Sequence, residues 1–136
     1  MRKPFVAGNW KMNTDSQGSV ELAKAVADGS LGVAGQSVDV AVCPPFVYLK
    51  SVAGAVSSSN VAVGAQDMYY EAKGAFTGEI SASMLKDIGC TYVLCGHSER
   101  RHVIGETDEL INKKVAAAIG GGLLPILCVG EGRIQA

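Results

Sequence analysis

This chain is short of charge, of aromatic rings and of unbroken apolar runs, and each shortage excludes something. Only 18% of its 136 residues are charged and 6% are aromatic. Its 12 Lys and Arg nearly balance its 13 Asp and Glu, so no broad basic face is available to nucleic acid or to an anionic membrane. The longest uncharged stretch, Val115 to Gly130, is too short to span a bilayer and is broken by Gly120-Gly121-Gly122 and Pro125. After Arg2 and Lys3 the apolar run ends at Asn9 and Lys11, which leaves no core of a signal peptide. Cys43, Cys90, Cys95 and Cys128 form no Cys-x-x-Cys pair, so buried reduced thiols and a cytoplasmic compartment are expected. What is abundant is apolar residue, 48% of the chain, which excludes intrinsic disorder.

Short apolar runs recur at Phe5–Gly8, Val38–Cys43, Val61–Ala65, Tyr92–Cys95 and Leu124–Val129. They lack polar alternation, as strands buried on both faces do. Helical patterns separate them, over Ser16–Asp28, Phe46–Val56 behind Pro44-Pro45, Ile80–Ile88 and Thr107–Ile119. In the last of these, Leu110, Ile111, Val115 and Ile119 share the apolar face. The spacing predicts an α/β fold, a (βα)₄β chain of parallel strands with right-handed crossovers, and the length alone suggests one domain. An open doubly wound sheet and part of a closed (β/α)₈ barrel both fit. No Gly-x-Gly-x-x-Gly follows the first strand and no P-loop occurs, which weakens the first.

Function in parallel α/β folds gathers where strands end. Those tips here read Asn9-Trp10-Lys11, Cys43-Pro44-Pro45, Gln66-Asp67-Met68, Gly96-His97-Ser98-Glu99-Arg100 and Gly130-Glu131. Lys11 can hold an anion and steady a developing oxyanion, or be an ordinary solvated lysine; Asn9 brings an amide to the same place. His97 is a candidate acid/base, kept neutral if a helix N-terminus follows it, against the alternative of a structural loop histidine. Glu99 can orient Lys11 or His97, or be a solvated first-turn carboxylate. Arg100 and Arg101 read as ion-pairing helix residues, and His102 as surface, since a His97/His102 pair has no recognised metal spacing. The loop from Gln66 to Glu79 is long for its kind. It carries Met68, Tyr69, Tyr70 and Phe76, which suggests a docking surface or local packing over the strand ends.

Five segments together resemble the triosephosphate isomerase family: Asn9-Trp10-Lys11-Met12-Asn13, Gly64-Ala65-Gln66-Asp67, Gly74 to Ser81, Cys95 to Arg101, and Cys128-Val129-Gly130-Glu131. They stand in the family's order and spacing over residues 2–131. The resemblance implies a TIM-barrel fold and a cofactor-free, metal-free isomerase of glycolysis and gluconeogenesis. Its substrates would be dihydroxyacetone phosphate and glyceraldehyde 3-phosphate, interconverted through an enediol(ate). It implies that Lys11 and Asn9 bind substrate, that neutral His97 polarises the carbonyl and shuttles protons, and that Ser98 and Glu99 support the site. It also implies a homodimer, with Thr77, Phe76, Met12 and Thr14 at the subunit contact.

The family barrel has eight strands in about 250 residues. Set against it, residues 1–136 are expected to form a partial domain, a truncated half-barrel of five strands. The sixth-loop glutamate base, the lid and the phosphate loops of the family are then missing, and Gly132–Ala136 departs from the family's usual continuation. The chain alone is expected to be inactive unless a C-terminal half completes it. A different outcome is a non-catalytic half-barrel that self-associates through its open strand edges.

Overall fold

The computed structural model describes residues 2–130. Its elements run β1 (Phe5–Asn9), α1 (Ser16–Gly29), β2 (Asp39–Cys43), α2 (Phe46–Val56), β3 (Val61–Ala65), α3 (Ala82–Asp87), β4 (Tyr92–Cys95), α4 (Asp108–Gly120) and β5 (Leu124–Leu127). A π-helix, Arg100–Ile104, lies between β4 and α4. The strands are all parallel and stand in chain order, β1-β2-β3-β4-β5. That is the half-barrel expected from the sequence.

Local chemistry explains the helix starts. Asp15, Ser81 and Thr107 each accept a backbone N–H of the first turn, from Gly18, Met84 and Leu110 respectively. Pro45 stands just before the first helical residue of α2.

The helices cover one face of the sheet. Leu49 and Val52 of α2, Leu85 of α3 and Ile111 of α4 pack there against Val42, Val63 and Val93, all buried. On the other face the sheet curls: the rings of Phe5 (β1) and Tyr92 (β4) meet at 4.8 Å although β2 and β3 lie between their strands. Gly64 permits this curvature. A Cβ there would stand 2.9 Å from Cys43 Sγ, closer than carbon tolerates, and a tight 3.2 Å from Tyr92 Cβ.

Several boundaries and faces differ from expectation. Strand β5 ends at Leu127 rather than Val129, and α3 is shorter than the Ile80–Ile88 pattern. In α4 the buried stripe is Ile111, Lys114 and Ala118, while Ile119 is 63% exposed. A lysine takes the inward place because two carboxylates meet it there, which no hydropathy pattern encodes. The π-helix was not expected either. Its ring is closed by the Gly105 N–H on the Arg100 carbonyl. Glu131 and the tail Gly132–Ala136 lie outside the described residues.

Candidate functional site

The C-terminal ends of β1, β3 and β4 open onto a cavity of about 650 Å³. Asn9, Lys11, Met12, His97 and Glu99 line it, together with Gln66. Of the residues picked from sequence, Ser98, Thr77, Phe76 and Thr14 are not on its wall.

Lys11 enters from a tight loop. Its backbone has φ 57°, a left-handed value unusual for lysine, and its N–H donates to Asn9 Oδ1 at 2.9 Å. Gln66 Nε2 donates to the Lys11 carbonyl at 2.8 Å and to the Cys43 carbonyl at 2.9 Å. Asn9 and Gln66 therefore fix the loop that points the ammonium. In the sequence Gln66 stands out only as a polar strand tip.

Lys11 Nζ stands 2.6 Å from Glu99 Oε1. That hydrogen bond is the largest influence on Glu99; it outweighs desolvation and, with the charge of Lys11 added, holds the carboxyl below its ordinary range. Glu99 is paired with Lys11 and its side chain is half exposed.

His97 follows β4 directly. The Glu99 N–H donates to His97 Nδ1 at 3.2 Å, while Glu99 Oε2 is 3.5 Å from the same nitrogen. These two neighbours ask for opposite protonation of Nδ1. The N–H lies within hydrogen-bonding geometry and the carboxylate beyond good reach, so the geometry suits Nδ1 as an acceptor. The expected helix N-terminus takes the form of one short turn, Ser98–Glu99, leading into the π-helix.

Behind the cavity is a charge cluster that hydropathy could not reveal. Lys114 Nζ contacts Asp67 Oδ1 at 2.8 Å and Glu106 Oε2 at 2.7 Å. Arg100 Nε reaches the same Glu106 oxygen at 2.5 Å and Asp67 Oδ2 at 3.2 Å. Two cations face two anions, so the set, with Glu106 and Lys114 buried and Arg100 and Asp67 partly so, is neutral in sum. Arg100 and Arg101 are thus ion-pairing residues, as expected, and His102 is exposed.

The long loop divides its apolar side chains. Met68 is buried in the core, whereas Phe76 stacks on Tyr69 at 4.8 Å and Tyr69 on Tyr70 at 4.5 Å. The loop thus packs in part on itself, while Phe76 stays 38% exposed. Thr77 at the tip is exposed. The four cysteines are free thiols, three of them buried and Cys128 partly so. Among the described residues no three His, Cys, Asp or Glu side chains converge as a metal site requires, and no helix is long and apolar enough to cross a membrane.

Comparison with known proteins agrees with the motifs. The family model described as triosephosphate isomerase matches residues 4–136. A triosephosphate isomerase of Carboxydothermus hydrogenoformans is 56% identical over 131 residues, covering 96% of this chain and 51% of that protein. One from Endomicrobium trichonymphae is 51% identical, over 96% of this chain and 52% of its own length. One from Thermoanaerobacter pseudethanolicus is 50% identical, over 99% and 53% respectively. The chain spans about half the length of the curated relatives it matches.

Proposed function

The chain belongs to the triosephosphate isomerase family, and from that premise we propose that it supplies the Lys11–His97–Glu99 side of a triose phosphate isomerising site. The observation that carries this reading is the 2.6 Å pair between Lys11 Nζ and Glu99 Oε1 beside an imidazole whose Nδ1 accepts the Glu99 N–H.

Each group has a task that its geometry suits. The Lys11 ammonium attracts the doubly charged phosphate ester and offsets negative charge as it develops on the substrate oxygen. Asn9 lines the same wall. His97 Nε2–H donates to the substrate carbonyl, so that removal of the neighbouring carbon-bound proton leaves an enediol(ate) rather than a bare carbanion. Proton transfer between the two oxygens through Nε2 then allows the carbonyl to move one carbon along. The proton-abstracting glutamate that the family places on its sixth loop has no counterpart among the described residues. Ser98 and Glu99 support His97 and Lys11 in this scheme.

The finer features follow the same reading. Thr77 and Phe76 would meet Met12 and Thr14 of a second copy, giving a homodimer, and the enzyme would work in the cytoplasm without metal or cofactor. A second reading, self-association without catalysis, is favoured by one observation: β1 and β5 are sheet edges, and Val6, Leu124 and Leu127 on them are half exposed.

A coupled assay on dihydroxyacetone phosphate decides. The chain alone is expected to show no isomerisation above buffer. Supplied with a C-terminal half, it should turn over, and His97→Gln should lower the rate by about 10²–10⁴. Turnover unaffected by His97→Gln overturns the site assignment. A stable 14.0 kDa monomer in sedimentation overturns the self-association reading.

A further inference from the structure

We propose that Arg101 is a positioning residue that brackets His97 and sets the separation of the fourth and fifth strand ends. The inference deepens the role proposed for His97 and takes its functional meaning from it.

The parallel ladder between β4 and β5 runs out at the Cys128 N–H, which donates to the Cys95 carbonyl at 2.9 Å. The register between the two strands ends at Cys95 and Leu127, and among the described residues no backbone N–H reaches the Gly96 or Cys128 carbonyl. The Arg101 guanidinium fills that place. Its Nε donates to the Gly96 carbonyl at 2.7 Å and an Nη donates to the Cys128 carbonyl at 3.2 Å. The other Nη donates to Asp108 Oδ1 at 2.5 Å, which fixes the plane of the fork from the first residue of α4. A planar group with three anchors is pre-organised, as a lysine ammonium is not.

The same residue also holds His97 from the other side. Its backbone N–H donates to the His97 carbonyl at 3.1 Å, alongside that of Arg100 at 2.9 Å. Arg101 therefore grips the peptide before His97 through its side chain and the carbonyl after it through its backbone. Between these grips lies the Glu99 N–H bond to Nδ1, which decides where the ring proton resides. Gly96 shows how close the fit is. With φ 72°, it has no room for a Cβ, which would lie 2.9 Å from Arg101 Nη2.

The test is Arg101→Lys in the chain as it stands, read by ¹H–¹⁵N NMR of the His97 ring and by amide exchange. Wild type should show a single tautomer protonated at Nε2. In Arg101→Lys the Nδ1-protonated form should appear, with Glu99 and Cys128 amides exchanging about tenfold faster. Asp108→Ala, which removes one anchor from an exposed position, should fall between the two. A folded Arg101→Lys with wild-type tautomer and exchange overturns the proposal; should that variant not fold, an Asp108→Ala identical to wild type overturns it. In a complemented isomerase, Arg101→Lys should lower kcat by about tenfold or more while KM stays within about twofold. No turnover in the complemented wild type would sink the functional reading while leaving the ring measurement intact.

Discussion

Gln66 holds Lys11 in place from another strand end. Its amide donates to the Lys11 carbonyl at 2.8 Å and, with its second hydrogen, to the Cys43 carbonyl at 2.9 Å. Lys11 itself sits at φ 57°, a backbone state lysine does not choose unaided. The position of the ammonium over the cavity therefore depends on an uncharged side chain from β3's end, 55 residues away in sequence.

Gln66→Met keeps the bulk and removes both donations. Lys11's carbonyl is exposed and can turn to water, and Cys43's carbonyl keeps the Trp10 N–H at 3.1 Å. Stability should fall by only about 1 kcal/mol. The loop should relax, however, and Lys11 should leave Glu99. The measurement is the Glu99 carboxyl titration by NMR. It should move up toward the ordinary carboxylate value in Gln66→Met, because the Lys11 hydrogen bond is what lowers it. An unchanged titration would show that Lys11 keeps its place without Gln66.

Gly96→Ala should be costly for two reasons that add. A non-glycine residue at φ 72° is strained, and its Cβ would stand 2.9 Å from Arg101 Nη2 and from two methyl carbons of buried Ile111. Together these effects amount to about 2–5 kcal/mol. Chemical denaturation of the variant checks this. Gly105→Ala, also at positive φ but with open space where the Cβ would go, should cost only the smaller backbone part.

The strands were legible because each is a nearly unbroken apolar run, and Val61–Ala65 and Tyr92–Cys95 match to the residue. The order of the motifs likewise brought Asn9, Lys11, His97 and Glu99 to one cavity. What hydropathy hid is pairing at a distance. Lys114 reads as a solvated helix residue until Asp67 and Glu106 arrive from other segments to meet it. Ile119 reads as core because its own helix looks apolar there, yet the sheet does not reach it. The π-helix is equally non-local in cause. It sets Arg100 toward Asp67 and Glu106 while Arg101 reaches Cys128 just past β5, and none of these partners is visible in the run Arg100–Ile104.

The charge cluster, with Glu106 and Lys114 at its buried centre, predicts an acid limit. Burial pushes the Glu106 carboxyl up, but hydrogen bonds from Lys114 and Arg100, and their charges, outweigh it and hold the group below its ordinary range. A carboxylate lowered in the folded state contributes stability that is present above its unfolded pKa, about 4.3, and is lost as pH falls through the folded value. Tm should therefore hold from neutrality down to about pH 5 and decline below it. Glu106→Ala leaves Lys114 buried with Asp67 alone and should cost about 3–5 kcal/mol at pH 7. Its Tm should also depend less on pH in the acid range. A variant with the wild-type acid slope would assign that slope to other carboxylates.

Thiol chemistry separates the cysteines by depth. Burial raises Cys43 and Cys95 to about 12 and Cys90 to about 11, so their thiolates are scarce at pH 8. Cys128 is also raised by burial, but the Arg101 charge opposes that shift and the residue is partly exposed. Iodoacetamide at pH 8 should therefore modify Cys128 first in the folded chain. The other three should react only as fast as the fold opens. Mass spectrometry of tryptic peptides over a time course resolves the order. Addition of denaturant should make all four comparable, since an unfolded thiol returns to about 8.5. Modification of Cys43 or Cys95 in native buffer at the Cys128 rate would mean that the C-terminal ends of β2 and β4 open far more often than their packing implies.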